Sequence, residues 1–307
     1  MTRQMASVIF ALVAVIGPAW TRDIVSWGPN SMEAIRALGV TALREGCSSA
    51  PAICVEEAER DARAEGLNRI YLSVPLAQAT GANALEYRRL SASHPALYEI
   101  GVDDFIAQYS RFEIFTRFIW PRADSVFAGQ FLRTLRASSL KSGITIYETE
   151  LRSPVLLSSP VSERLRSMVD NVHFYLNYRG SGGRYLSYVK QVRDLFPTAN
   201  LIAGSYAYDR IDYLPCFPGS QAKCSSAEQS NLFRESIDTQ VTLLAFHEIN
   251  GIEFYPGLFG REETWNGWKQ PRICDSERTA ECIVNTRALQ QIAIEALRKR
   301  PMSQESH

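Results

Sequence analysis

Short runs of β-branched and aromatic residues recur along the chain, and stretches with helical spacing of apolar positions lie between them. Seven such runs predict strands: Asp23–Trp27 (DIVSW), Arg69–Leu76 (RIYLSVPL), Leu97–Val102 (LYEIGV), Gly143–Thr149 (GITIYET), Val172–Asn177 (VHFYLN), Leu201–Tyr206 (LIAGSY) and Gly251–Tyr255 (GIEFY). Helices are predicted to open at Ser31-Met32-Glu33 and to cover Val55–Gly66, Arg184–Phe196, Ala227–Glu248 and Thr286–Arg300. The last of these ends in basic residues, which suit a helix C-terminus. Phe105–Leu140 carries a long aromatic helical pattern with a break at Pro121.

Strands that alternate with helices require right-handed crossovers and a parallel sheet. Seven or so units predict an α/β fold, a (β/α)8-type TIM barrel, irregular at its N-terminal end. The competing architecture is a doubly wound open sheet. That fold usually carries a Gly-rich phosphate loop after its first strand, and Trp27-Gly28-Pro29-Asn30 is not one.

The N-terminus reads as a leader. Arg3 gives a positive start, Ala6–Ile16 is an uncharged apolar run, and Gly17-Pro18-Ala19 offers small residues for cleavage. The alternative is a buried first element of the fold. The expected organisation is a signal peptide over 1–19, one barrel domain over 23–300 and a disordered tail over 301–307. No later run of apolar residues is long enough to span a membrane, which takes about 20 residues. The six cysteines fall into close pairs, Cys47 with Cys54, Cys216 with Cys224 and Cys274 with Cys282, each bracketing a turn-like stretch. Local disulfides are expected, and they agree with a secreted or periplasmic location.

Composition narrows the function. Lys plus Arg (33) equals Asp plus Glu (33), so the chain lacks the basic excess of a nucleic-acid-binding surface. The four histidines have no metal-ligand spacing, and the cysteines form no CxxC, so no metal is expected. No cofactor motif occurs, and no G-x-S-x-G elbow marks a serine nucleophile.

In a barrel of this kind chemistry sits at the C-terminal ends of the strands. The acids found there are Asp103 and Asp104, Glu148 and Glu150, and the mid-strand Glu253. Asn177, Tyr178, Arg179, Tyr206, Tyr208, Tyr255 and the loop residue Trp265 would line subsites, with Glu262, Glu263 and Trp268 close to Trp265 in sequence. Glycoside hydrolysis needs two carboxyl groups beside the scissile bond, and aromatic faces pack against sugar C–H groups. Each residue also has a plainer reading. Asp103-Asp104 would cap a helix, Glu148 and Glu150 would be a solvated rim, and Glu253 would pair with an arginine, because a lone buried charge is costly. Strand alternation gives the mouth to Glu148 and Glu150 and turns Tyr147 away from it.

The segments LYEIGVDDF (Leu97–Phe105), GITIYETEL (Gly143–Leu151), VDNVHFYLNYR (Val169–Arg179), LIAGSYAYD (Leu201–Asp209) and GIEFYPG (Gly251–Gly257) resemble successive strands of uncharacterised, exported, glycoside-hydrolase-like TIM barrels. The resemblance implies a TIM fold and a carbohydrate substrate. Residues and resemblance together lead to the expectation of an exported glycosidase acting on a polysaccharide or oligosaccharide. The alternatives are a non-catalytic sugar-binding barrel and a scaffold protein of the cell envelope.

Overall fold

The computed structural model describes residues 22–106, 108, 127–157, 163, 166–211, 215–261, 274 and 278–299. Its parallel strands follow one another in chain order and close into a barrel: β1 (Asp23–Trp27), β2 (Ala42–Gly46), β3 (Ile70–Val74), β4 (Leu97–Val102), β5 (Lys141–Tyr147), β6 (Asn171–Tyr175), β7 (Asn200–Tyr206) and β8 (Gly251–Tyr255), which pairs back onto β1. The described helices are α1 (Met32–Leu38), α2 (Pro51–Ala64), α3 (Gly81–Ser91), α4 (Arg133–Arg136), α5 (Pro154–Leu157), α6 (Tyr185–Leu195), α7 (Ser226–Ala245) and α8 (Thr279–Arg298). One follows each strand, which makes this a (β/α)8 TIM barrel.

Alternation along the strands separates two environments. Outward residues such as Leu72, Val74, Ile100, Val102, Ile144, Ile146, Phe174, Ile252 and Phe254 are buried against the helix layer and form the main apolar core. Inward residues fill the barrel. Val25, Ala42, Tyr71 and Ile202 make a small apolar plug inside it. Beyond the plug the interior turns polar, and there the strands carry Arg44, Glu99, His173 and Glu253, each fully buried. Two glycines make room for this interior. A Cβ on Gly143 would lie 2.0 Å from Glu99 Oε1, and a Cβ on Gly204 would meet the Tyr175 ring at 2.3 Å.

Helix starts follow local chemistry. Ser31, Thr80 and Ser225 accept backbone N–H bonds at the N-termini of α1, α3 and α7, and Glu228 completes a capping box with Ser225. The disulfides Cys47–Cys54, Cys216–Cys224 and Cys274–Cys282 are all formed, and each is local. No described helix is long and apolar enough to cross a membrane.

Seven strands are predicted from the sequence and eight are observed. The additional one is β2, whose ALREG stretch holds an arginine and a glutamate in five residues. Its Arg44 is a barrel-interior charge, so the strand lacks the apolar run by which the others are recognised. Most of the predicted Phe105–Leu140 helix lies outside the described residues.

Candidate active site

Glu253, in the middle of β8, is the centre of the interior network. Arg44 Nη1 lies 2.8 Å from its Oε1 and 3.0 Å from its Oε2, His173 Nδ1 is 2.5 Å from Oε2, and Trp27 Nε1 donates to Oε1 at 2.5 Å. The Tyr175 phenol donates to the same Oε1. Burial works to raise the Glu253 carboxyl, but Arg44 and His173 outweigh it and hold the group well below the usual carboxylate range. Glu253 is therefore a fixed, ionised and fully enclosed anion. Burial and the Glu253 charge keep the Tyr175 phenol far above its ordinary value, so it remains a donor.

The network extends through His173, whose Nε2 is 2.9 Å from Glu99 Oε1, and Asn171 donates to Glu99 Oε2 at 2.5 Å. On the other side, Arg44 Nη2 donates to Thr145 Oγ1 at 2.8 Å and to Ser73 Oγ at 3.2 Å. Its guanidinium carbon stands 4.6 Å above the Trp27 ring. Arg44, His173 and two carboxylates thus sit together, all fully buried, so each buried charge has a partner.

Above this layer, at the end of β4, comes Asp103. Its N–H continues the ladder to Val74 O at 3.3 Å, and its carbonyl accepts from Gln108 Nε2 at 2.6 Å. It occupies the inward slot after Glu99 and Gly101. Burial pushes its carboxyl up to about 6; Arg44 pulls it down, Asp104 pushes it up, and the Thr145 hydrogen bond lowers it. Asp104 has a φ of 46°, a left-handed turn that brings its side chain round to the Tyr147 phenol, which donates to Oδ1 at 2.5 Å. Tyr147 ends β5, and Tyr206 at the end of β7 donates to its hydroxyl at 3.4 Å.

Tyrosines form one wall of the mouth. Tyr206 lies 5.1 Å from Tyr175, 5.7 Å from Tyr255 and 6.1 Å from Tyr208 between ring centroids, and Trp27 stands edge-on to Tyr255 at 5.2 Å. The arrangements are tilted or T-shaped, the geometries aromatic quadrupoles favour. Arg210 covers Tyr206 at 3.8 Å from the ring centroid.

Among the acids expected at the mouth, Asp103 and Asp104 are at the opening of the barrel and Glu253 lies below them on its interior. Glu148 and Glu150 fall in a helical turn after β5. Glu148 is turned into the wall, where it accepts Asn177 N–H at 2.6 Å, Tyr178 N–H at 3.1 Å and Ser181 Oγ at 3.2 Å. Glu150 accepts the Tyr147 N–H at 3.0 Å. It is Tyr147 that faces the mouth, because β5 stays in register through Tyr147 opposite Tyr175 and the helical turn begins one residue later. Asn177 and Arg179 line a recess beside β6 and β7, and Tyr178 stands at the start of the turn that follows β6. Tyr206, Tyr208 and Tyr255 come together in the aromatic wall. Trp265, with Glu262, Glu263 and Trp268, lies outside the described residues.

Sequence reasoning missed Arg44, Glu99, His173, Thr145, Tyr147 and Arg210. Two of these carried a usable signal. A charged or imidazole side chain in the middle of a predicted strand, as at Glu99 and His173, must meet a partner, as the mid-strand Glu253 was expected to.

No protein-family model matches the sequence, and no curated protein matches it. Solved structures match the fold. A complex of a GH113 β-1,4-mannanase aligns with TM-score 0.51 at 9% identity, covering 91% of this chain and 98% of that chain. A second GH113 β-1,4-mannanase structure aligns with TM-score 0.50 at 10% identity, covering 91% and 99%. A Bacteroides uniformis β-glucuronidase aligns with TM-score 0.48 at 13% identity over 76% of this chain, and the chain spans 30% of that enzyme. At these identities the likeness is one of fold.

Proposed function

We propose that the protein is an exported glycoside hydrolase acting on a polysaccharide or oligosaccharide, with Asp103 as the proton donor. One observation carries the reading. At the C-terminal end of β4, where such barrels place their chemistry, a recessed carboxyl is pushed up to about 6 and faces the barrel mouth. A carboxyl protonated near neutral pH can give its proton to the glycosidic oxygen as the C–O bond breaks. Asp104, held by the Tyr147 phenol, supplies the second carboxyl beside the developing positive charge, and the half-buried Tyr206 and Tyr255 are the aromatic groups a sugar would meet. The three disulfides and the leader-like N-terminus support export.

Purified mature protein should release reducing ends from at least one member of a polysaccharide panel, and Asp103→Asn should abolish that release while keeping the wild-type circular dichroism. Release by Asp103→Asn at the wild-type rate removes Asp103 from the role.

A second reading, a non-catalytic sugar-binding barrel, draws on Glu253. Its complete enclosure by Arg44, His173, Tyr175 and Trp27 withdraws the most strongly ionised carboxyl from contact with a ligand. Glycan binding without hydrolysis across the same panel selects this reading.

A further inference from the structure

Two arginines beside the mouth lack what the interior arginine has. Arg44 is matched by a carboxylate, whereas Arg179 and Arg210 form no ion pair among the described residues. Arg179 Nη2 donates to the Tyr208 carbonyl at 2.7 Å, and its guanidinium lies 5.0 Å from the centroid of the Phe233 ring. Arg210 stacks on Tyr206 and hydrogen-bonds the Tyr208 phenol. The Nε atoms of both are buried and have no hydrogen-bond partner among the described residues. The nearest acid, Asp209, is already occupied: it accepts from Ile211 N–H, Gln229, Asn285 and Arg278. Burial and the neighbouring Arg210 charge lower Arg179 to about 9. Two adjacent, partly desolvated cations without a counter-charge are costly in the protein alone, and they become favourable when an anion sits between them.

Both arginines line one narrow recess, together with Asn177, Ile211, Pro215, Cys224 and Gln229. The space that the centre of a water-sized sphere can occupy there is about 10 Å³, about the least that admits one water molecule. The oxygen atoms of a small group fit such a space; a sugar ring does not. Arg210 links the recess to the mouth: it covers Tyr206, Tyr206 bonds Tyr147, and Tyr147 bonds Asp104. A group seated between the arginines would belong to a sugar on the Tyr206 side of the mouth.

We propose that the recess between Arg179 and Arg210 takes the carboxylate of an acidic sugar, so that the glycan this cleft recognises contains uronic acid. The proposal rests on the glycan-cleft reading above and adds the substrate class. Two forked guanidiniums recognise planar carboxylates, and the small recess favours a carboxylate over a bulkier tetrahedral sulfate or phosphate.

Calorimetric titration tests this with the Asp103→Asn variant of the full chain, so that turnover does not intervene. The ligands are galacturonate, glucuronate and mannuronate oligosaccharides, their carboxyl-reduced counterparts, a sulfated oligosaccharide and inorganic phosphate. At least one oligouronate should bind, with affinity falling as salt rises, and its carboxyl-reduced form should bind at least tenfold more weakly. Adding Arg210→Gln should bring the oligouronate to the level of the reduced ligand; Arg179→Gln provides an independent second variant. Equal binding of native and reduced ligands, unchanged binding in a folded Arg210→Gln variant, absence of binding by every oligouronate, or tighter binding of the sulfated ligand or phosphate overturns the proposal. Hydrolysis of neutral glycans alone, without uronate binding, ends this inference and leaves the hydrolase reading in place. Uronate binding without hydrolysis does the reverse.

Discussion

Arg44 on β2 and Glu253 on β8 reach past β1 to meet inside the barrel, 2.8 Å apart, with neither side chain exposed. Each is the other's main compensation for leaving water. Removing one partner leaves an uncompensated buried charge, and such losses run to about 3–5 kcal/mol. Arg44→Met and Glu253→Gln should each lower stability by about that much. The double variant should cost less than the sum, with a coupling of about 0.5–3 kcal/mol. Urea denaturation of the four proteins measures the cycle, and strictly additive costs would deny the pairing its energetic role.

Asp103 ties stability to pH in the direction opposite to a salt-bridged acid. Its folded value is raised to about 6, above that of the unfolded chain. The folded state therefore holds a proton that the unfolded chain has released, and this contribution is full at low pH and disappears as pH rises through about 6. At pH near 8 the ionised group costs stability, so Asp103→Asn should be more stable than the wild type by up to about 3 kcal/mol. The difference should vanish below about pH 4. As proton donor, the same group should give kcat/KM a falling limb near pH 6. A flat rate profile from about pH 5 to 8 argues against Asp103 as the acid.

Gly143 tests how tightly the interior is filled. A Cβ there would overlap the Glu99 carboxylate, which Asn171 and His173 hold in place. Gly143→Ala should cost about 2–4 kcal/mol in thermal or chemical unfolding, the range of overpacking combined with a displaced buried charge. In a Glu99→Ala background, where the obstructing carboxylate is gone, the same glycine change should cost less than it does in the wild type. An equal cost in both backgrounds would mean that the glycine is needed for its backbone and not for the space.

The fold could be read from the sequence because most strands carry apolar residues on the outward face, and that alternation survives whatever the inward face carries. Gly251–Tyr255, with Ile252 and Phe254 outward and Glu253 inward, is found as a strand for this reason. β2 was hidden since its inward Arg44 resembles a surface charge when read alone. The acids of the mouth were legible at Asp103 and Asp104, which follow a clear strand. Glu148 was expected to face the mouth as a catalytic acid because the switch from strand to helical turn after Tyr147 leaves little trace in IYETEL. The arginine recess was not legible at all: Arg179 and Arg210 are 31 residues apart in sequence, and only closure of the barrel sets them side by side.

His173 stands between two carboxylates, Glu99 at 2.9 Å and Glu253 at 2.5 Å. Burial and the Arg44 charge pull the imidazole down, but the two acids outweigh them and leave it raised. A raised imidazole stabilises the fold fully below the unfolded value of about 6.5, and that contribution is lost as pH rises through the folded value. Glu253 works from the other side. Its lowered carboxyl stabilises above the unfolded value and loses that effect as pH falls. Together they predict greatest stability between about pH 5 and 7, with His173 responsible for part of the alkaline decline. Denaturation midpoints across pH should show that decline flattened in His173→Gln, on a lower overall stability. Nitrogen-15 NMR of the imidazole at about pH 7 should find both ring nitrogens protonated, since each faces a carboxylate oxygen and only the imidazolium donates at both positions. A neutral ring at that pH would leave one carboxylate contact without a donor and would refute the charged bridge.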